Sequence, residues 1–290
     1  MTGDVQCIWP AGAILGEGPL WVADEAALYW VDIKAPAIHR LDTRTNTRRS
    51  QAMPEPIGCL CRRMSGGFVA GLKSGFAFLD SDLGNIERFD GPETDSPGNR
   101  TNDGKVDAQG RLWAGTMDDA EIEATGALYR LNPDHGWHTM DTGYVITNGP
   151  AFSPDSRTLY HTDTLARTVF AFDLSANGEI MNKWSFIRIP DQHGYPDGMT
   201  VDAEGYLWVA HFGGWRVTRF DPNGEAERVI RLPVSNITSC TFGGPDYQRL
   251  FITSATKGLD DTALAGQPLA GGLFAVETGI EGLPAPAYAG

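Results

Sequence analysis

Basic residues are scarce in this chain. Its 290 residues carry 23 Lys and Arg against 37 Asp and Glu, a formal net charge of −14. Nucleic-acid binding needs a basic footprint and anionic membrane surfaces attract polybasic segments, so the charge argues against both kinds of partner. Cysteine is sparse as well. Cys7, Cys59, Cys61 and Cys240 fit no CxxC spacing and read as reduced, small, buried residues of a cytoplasmic or other reducing compartment. Long apolar runs are missing, and the N-terminal MTGDVQCIWPAG has neither a basic n-region nor an apolar h-region, so no signal peptide or membrane span is expected. No GxSxG is present either, which removes the nucleophile elbow of a serine hydrolase. Long amphipathic helical patterns are absent too.

What the chain has is glycine (35), proline (18) and short apolar alternations, the pattern of an all-β protein. The alternations align. Six segments, starting at Leu28, Phe68, Leu112, Leu159, Leu207 and Leu250, are separated by 40, 44, 47, 48 and 43 residues. A second short strand follows each and usually ends in an acid, as in Ile38-His-Arg-Leu-Asp42 and Val217-Thr-Arg-Phe-Asp221. Turn signals such as Asp107-Ala-Gln-Gly110 and Asp202-Ala-Glu-Gly205 precede the later segments. A period in the forties with several strands per repeat predicts a six-bladed β-propeller filling residues 1–290 as a single domain. A β-sandwich would not need such regularity. The last repeat lacks an outer strand, and Val5-Gln-Cys-Ile-Trp9 is expected to complete it and close the ring.

Ten or eleven residues before the aligned starts lie Glu17-Gly18, Asn102 with Gly104 close by, Asn148-Gly149 and Asp197-Gly198. The second repeat offers Ile57-Gly58 there and the sixth Thr238 or Ser239, with no acid. In a propeller, equivalent positions ring one mouth of the central channel, so these four side chains should converge. Each pair alone would be an ordinary turn; four at one phase point to a site. Two carboxylates and one or two amides form a hard oxygen set suited to Ca2+, Mg2+ or Mn2+, with Fe2+ and Zn2+ also possible. His161 and His211, in or at the end of aligned strands, read as blade packing, and Trp21, Trp113 and Trp208 as core. His193 stands open between lining the mouth and a structural place.

The stretches Leu15-Gly-Glu-Gly-Pro-Leu-Trp21, Asn99-Arg-Thr-Asn-Asp-Gly-Lys-Val-Asp107, Trp113-Ala-Gly-Thr-Met117, Thr147-Asn-Gly-Pro-Ala151 and Tyr195-Pro-Asp-Gly198 resemble the gluconolactonase, senescence marker protein (regucalcin) and luciferin-regenerating enzyme family, in order and over essentially the whole chain. The segment Gln267-Pro-Leu-Ala-Gly-Gly-Leu-Phe274 looks most like bacterial sugar-acid lactonases. The resemblance implies a six-bladed propeller with one divalent metal held by Glu17, Asn148 and Asp197, with Asp197 also the general base. It implies sugar contacts from Arg100 and Asn102. An acid after Gly-Thr-Met117 contacts sugar in some members; Asp118, Asp119, Glu121 and Glu123 are candidates, and Glu121 is chosen. The activity so implied is metal-dependent hydrolysis of an aldonolactone such as gluconolactone, xylonolactone or arabinonolactone. The rivals are a phosphotriesterase or lipophilic lactonase on the same scaffold, and a non-catalytic propeller that binds Ca2+ or a protein.

Overall fold

The computed structural model describes residues 3–89 and 91–290. Its strands form six four-stranded sheets. The first blade runs Gly16–Val22, Ala27–Asp32, Ala37–Asp42 and Thr47–Ala52, each antiparallel to the next. The other blades begin at the inner strands Ile57–Arg62, Asn99–Val106, Thr147–Phe152, Tyr195–Val201 and Ile237–Gly243. These inner strands touch one another in chain order, and the last touches the first, which closes the ring.

Burial falls outward across each blade, and composition follows it. In the first blade the second strand, Ala-Leu-Tyr-Trp-Val-Asp, is wholly buried, while the outermost, Thr-Arg-Arg-Ser-Gln-Ala, is wholly exposed. A strand buried on both faces must be apolar throughout, whereas an edge strand must be polar to stay soluble. The cores lie between blades. Tyr29 of the first blade packs against Phe68 of the second, and Trp208 of the fifth against Phe242 of the sixth. Trp113 and Trp208 are completely buried and Trp21 nearly so, as expected from the strand pattern.

The sixth blade is completed as the missing outer strand predicted. Gln6–Trp9 pairs antiparallel with Leu273–Glu277 and covers its open edge. The remaining C-terminal residues run across the end of the ring away from Glu17. There Asp202 bridges to Gly282 and Arg63 to Tyr288. The α-helix Asp261–Gly266 is capped by the Asp260 carboxylate, which accepts from the Ala263 N–H at 2.8 Å. No helix among the described residues is long and apolar enough to cross a membrane.

Candidate active site

Every inner strand carries a register shift just inside its first residues, between Glu17 and Leu20, Ile57 and Cys59, Thr101 and Gly104, Asn148 and Ala151, Pro196 and Met199, and Ile237 and Ser239. A bulge re-aims a side chain that a regular strand would send into the neighbouring blade. The glycines beside the site serve in two ways. Gly18 and Gly149 have φ of 54° and 76°, where a side chain would be strained. Gly198 keeps an ordinary φ, but a Cβ there would lie 2.2 Å from Ser239 Oγ, so the residue is small because the next blade crosses it closely.

The bulged ends share one cavity of about 220 Å3, lined by Glu17, Arg100, Asn102, Glu121, Asn148 and Asp197 among others. All six residues assigned to the site from the sequence therefore meet at one mouth of the ring. The second strand of each blade ends at the same mouth, because Gly16 pairs with Asp32, Thr147 with Asp163 and Tyr195 with Phe212. This second tier adds Thr164, Leu165, Phe212 and Lys257 to the walls, and Leu15, Met117, Ile146 and Tyr195 complete them.

A chain of hydrogen bonds runs round the mouth. Arg100 Nη1 donates to Asn102 Oδ1 at 2.6 Å, and Asn102 Nδ2 donates to Asn148 Oδ1 at 3.0 Å and to the Thr147 carbonyl at 2.6 Å. Asn148 Nδ2 donates to Thr164 Oγ1 at 2.9 Å, and the Thr164 hydroxyl donates to the Pro196 carbonyl at 3.0 Å. Three blades are thus linked, and Asn148 has its amide nitrogen committed outward. Its Oδ1 accepts one bond and retains a second lone pair.

Burial pushes the carboxyls of both Glu17 and Asp197 well above their usual range. For Glu17 the charges of Asp197 and Asp103 add to that rise, and for Asp197 the charge of Asp103 does. The Gly198 N–H and the Lys257 ammonium act on Asp197 in the opposite sense. Two buried carboxylates that repel each other beside an amide oxygen with one lone pair to spare fit a divalent cation, which would cancel the repulsion. No three His, Cys, Asp or Glu side chains cluster at ligating geometry among the described residues. The oxygen set here has only two members of that kind, the third being Asn148.

Arg100 is no surface residue. It is 1% exposed, and burial pushes its guanidinium pKa down while the Asp119 charge opposes that. Its Nε donates to Asp119 Oδ1 at 2.7 Å, and Asp119 also takes Lys34 Nζ at 2.6 Å. The four acids after Met117 thus separate by role. Asp118 caps its own loop, accepting from the Ala120, Ile122 and Glu123 N–H groups. Asp119 holds Arg100, Glu123 is exposed, and Glu121 lines the cavity, paired with Lys257. His193 is not among the lining residues; its carbonyl meets His211 Nδ1 at 2.8 Å. His161 is fully buried, edge-on to Tyr144, and its pKa is pushed down to about 3 by burial, which suits packing.

Asp103 is a further buried acid that repeat phase does not mark. Its buried carboxyl is raised to about 6 by desolvation, against the pull of Lys105, and its Oδ2 has no hydrogen-bond partner among the described residues. It lies directly after Asn102 in the motif, and the repeat phase picks only one residue per blade. It faces a larger cavity of about 330 Å3 toward the other end of the ring, whose walls include Pro19, Leu20, Phe152, Val201 and the C-terminal Leu283–Pro286. That cavity is mainly apolar and contains neither Glu17 nor Asp197.

Residues 15–256 match the family model described as the SMP-30/gluconolactonase/LRE-like region. Regucalcin of Danio rerio is 39% identical over 291 residues, covering 99% of this chain and 98% of that protein. A 6-deoxy-6-sulfogluconolactonase of Pseudomonas putida is 36% identical over 293 residues and covers 100% of both. The crystal structure of a calcium-binding regucalcin from Agrobacterium tumefaciens superposes with a TM-score of 0.95 at 28% identity, covering 99% of this chain and 97% of the other. With the family model spanning most of the propeller and relatives matching end to end, this chain belongs to the SMP-30/gluconolactonase/LRE-like family.

Proposed function

We propose that the protein is a metal-dependent lactonase that opens an aldonolactone to its aldonic acid, acting as one propeller domain in the cytoplasm. The observation that carries this reading is the meeting of Glu17, Asn148 and Asp197 with Arg100, Asn102 and Glu121 in one cavity sized for a single sugar ring. The family supports lactone hydrolysis as the reaction class, and the Pseudomonas relative is named for a gluconolactone derivative. Four free cysteines suit a reducing compartment.

Glu17, Asn148 and Asp197 would hold the divalent ion, with Ca2+ the first to test, since the Agrobacterium relative is described as calcium-binding. When bound, such an ion polarises a carbonyl oxygen and acidifies water. The rest falls to the chain. Asp197 takes the proton of the attacking water and returns it to the ring oxygen as the acyl C–O bond breaks. Arg100 orients a hydroxyl through the Nη2 donors its bonds leave free, Asn102 accepts from a hydroxyl on the remaining lone pair of its Oδ1, and Glu121 accepts from another hydroxyl. Leu15, Ile146 and Phe212 keep bulk water from the acyl carbon.

Asp197→Asn tests the assignment. Asparagine offers a similar oxygen but is a negligible base, so the variant should bind metal, less tightly, and lose about 10²-fold or more in kcat. Metal content and initial rate above the spontaneous background are read on one sample. Near-normal kcat at saturating metal would leave Asp197 a ligand only. Glu17→Ala should lose the ion, and full metal occupancy with full activity in that variant would overturn the site.

A further inference from the structure

Two cations line the cavity, and they differ in freedom. Arg100 is committed on three sides, to Asp119, to the Thr101 carbonyl and to Asn102. Among the described residues Lys257 has a single side-chain partner, Glu121, 136 residues away on the opposite side of the mouth. Both ends of this crossbar are anchored by backbone. Lys257 N–H donates to the Ile14 carbonyl at 2.9 Å, and the Lys257 carbonyl accepts from Asn236 Nδ2 at 2.9 Å. Glu121 N–H donates to the Asp118 carbonyl at 3.0 Å, in the loop that the Asp118 side chain caps. Between fixed ends, only the two side chains move. The charge of Lys257 already reaches Asp197, where the water proton is taken.

We propose that Lys257 is a substrate-contacting residue of this lactonase site, whose ammonium leaves Glu121 to donate to the acyl oxygen of the bound lactone. The inference rests on the lactonase reading. In the reaction the water oxygen bonds to the acyl carbon, and the carbonyl π pair moves onto oxygen. The pair then returns as the ring C–O bond breaks, and the ring oxygen receives the proton held by Asp197. One negative charge that the lactone lacks therefore appears on the acyl oxygen in the tetrahedral species, and it returns to the acyl group when the acid so formed releases the second water proton to solvent and becomes the carboxylate product. Once Asp197 has returned its proton, Glu17 and Asp197 both face the product carboxylate with like charge, and a resident divalent ion would do no more than balance those two side chains. Lys257 supplies the surplus positive charge. The exchange frees Glu121 to accept from a sugar hydroxyl, so substrate binding converts an internal ion pair into two contacts with the ligand. A lysine suits the part, with a compact charge on a flexible stem. Its four-carbon chain swings without moving the backbone.

The test uses metal-loaded full-length protein, Lys257→Met, Lys257→Arg and Glu121→Gln, with gluconolactone as substrate and gluconate as competing product. Lys257→Met should keep its metal, lose about tenfold or more in kcat, and bind gluconate about tenfold more weakly. Lys257→Arg should regain gluconate binding and part of the rate. Glu121→Gln should raise KM for the lactone while tightening gluconate inhibition, because the ammonium is released. A Lys257→Met protein with kcat and gluconate affinity within twofold of wild type sinks the inference and leaves the lactonase reading intact. Equal weakening in the Met and Arg variants, or loss of the ion in Lys257→Met, would make Lys257 a structural residue. A wild-type protein that turns over no sugar lactone at any metal concentration refutes the function itself.

Discussion

Asp103 shows how one buried carboxyl sets a pH dependence. Desolvation raises its folded pKa to about 6, above the ordinary value of 3.8. Between those values the folded chain binds more protons than the unfolded one, so stability falls as pH rises through the window from about pH 4 to about pH 6. Above it the ionised group carries its full penalty. In chelator, Asp103→Asn should therefore raise the melting temperature at pH 8, with up to about 3 kcal/mol of stabilisation, and change little at pH 4. Equal effects at both pH values would show that the gain comes from packing rather than charge. Because Asp103 also raises Glu17 and Asp197, the same variant reports how far the three carboxyls oppose one another before a cation arrives.

At the scale of elements, two turn motifs in the sequence prove to be buried polar pins. Asp202 accepts from the Glu204 and Tyr206 N–H groups at 3.0 Å, from Trp208 Nε1 at 2.8 Å and from Arg219 Nε at 2.8 Å. Asp107 does the same in the third blade, with the Gln109 and Arg111 N–H groups, Arg111 Nε and Trp113 Nε1. One carboxylate thus fixes a hairpin turn, the strand that follows it and a guanidinium at once. Asp202→Ala would leave Arg219 and the Trp208 indole without this partner, and a cost of about 3–5 kcal/mol is expected in urea denaturation. Asp202 lies at the end of the blade away from the cavity, so kcat/KM of the folded fraction should stay close to wild type. The turns were legible because Asp and Gly stand at fixed offsets. The bulges were not. A register shift depends on which residue of the neighbouring strand takes each hydrogen bond, and no local composition records that choice.

At the scale of the whole molecule, the ring is closed by four residues at the start of the chain. Removing residues 3–10 would bare the Leu273–Glu277 edge and uncover Trp30, which stacks edge-on with Trp9 at 5.6 Å. An open strand edge is a template for pairing with another chain. The truncated protein should melt at a lower temperature and form higher-order species in light scattering. A monomer with wild-type melting behaviour would show that the sixth blade stands without its outer strand. The cavity lies at the far end of the inner strands from the C-terminal strap, so the same deletion tests how strongly closure holds the site together.

The repeat is what the sequence by itself determined. A recurring unit of 40 to 48 residues places Glu17, Asn102, Asn148 and Asp197 at one phase of the aligned strands, and ring closure turns equal phase into nearness in space. The family resemblance named Arg100 in addition and offered Glu121 as one of four candidate acids. Only the tertiary structure decided between the four acids after Met117, because Asp118, Asp119, Glu121 and Glu123 differ in what their loop lets each one reach rather than in chemistry. Lys257 stayed hidden for a related reason. It sits three residues past Ser254, just beyond an aligned strand, where loop length varies from blade to blade and phase no longer predicts position. Asp103 differs from Asn102 by one residue and by the direction in which a bulged backbone sends it. Periodicity specifies where strands lie and which ends meet; the direction of a side chain at an irregular residue is set by the packing of the blade next to it.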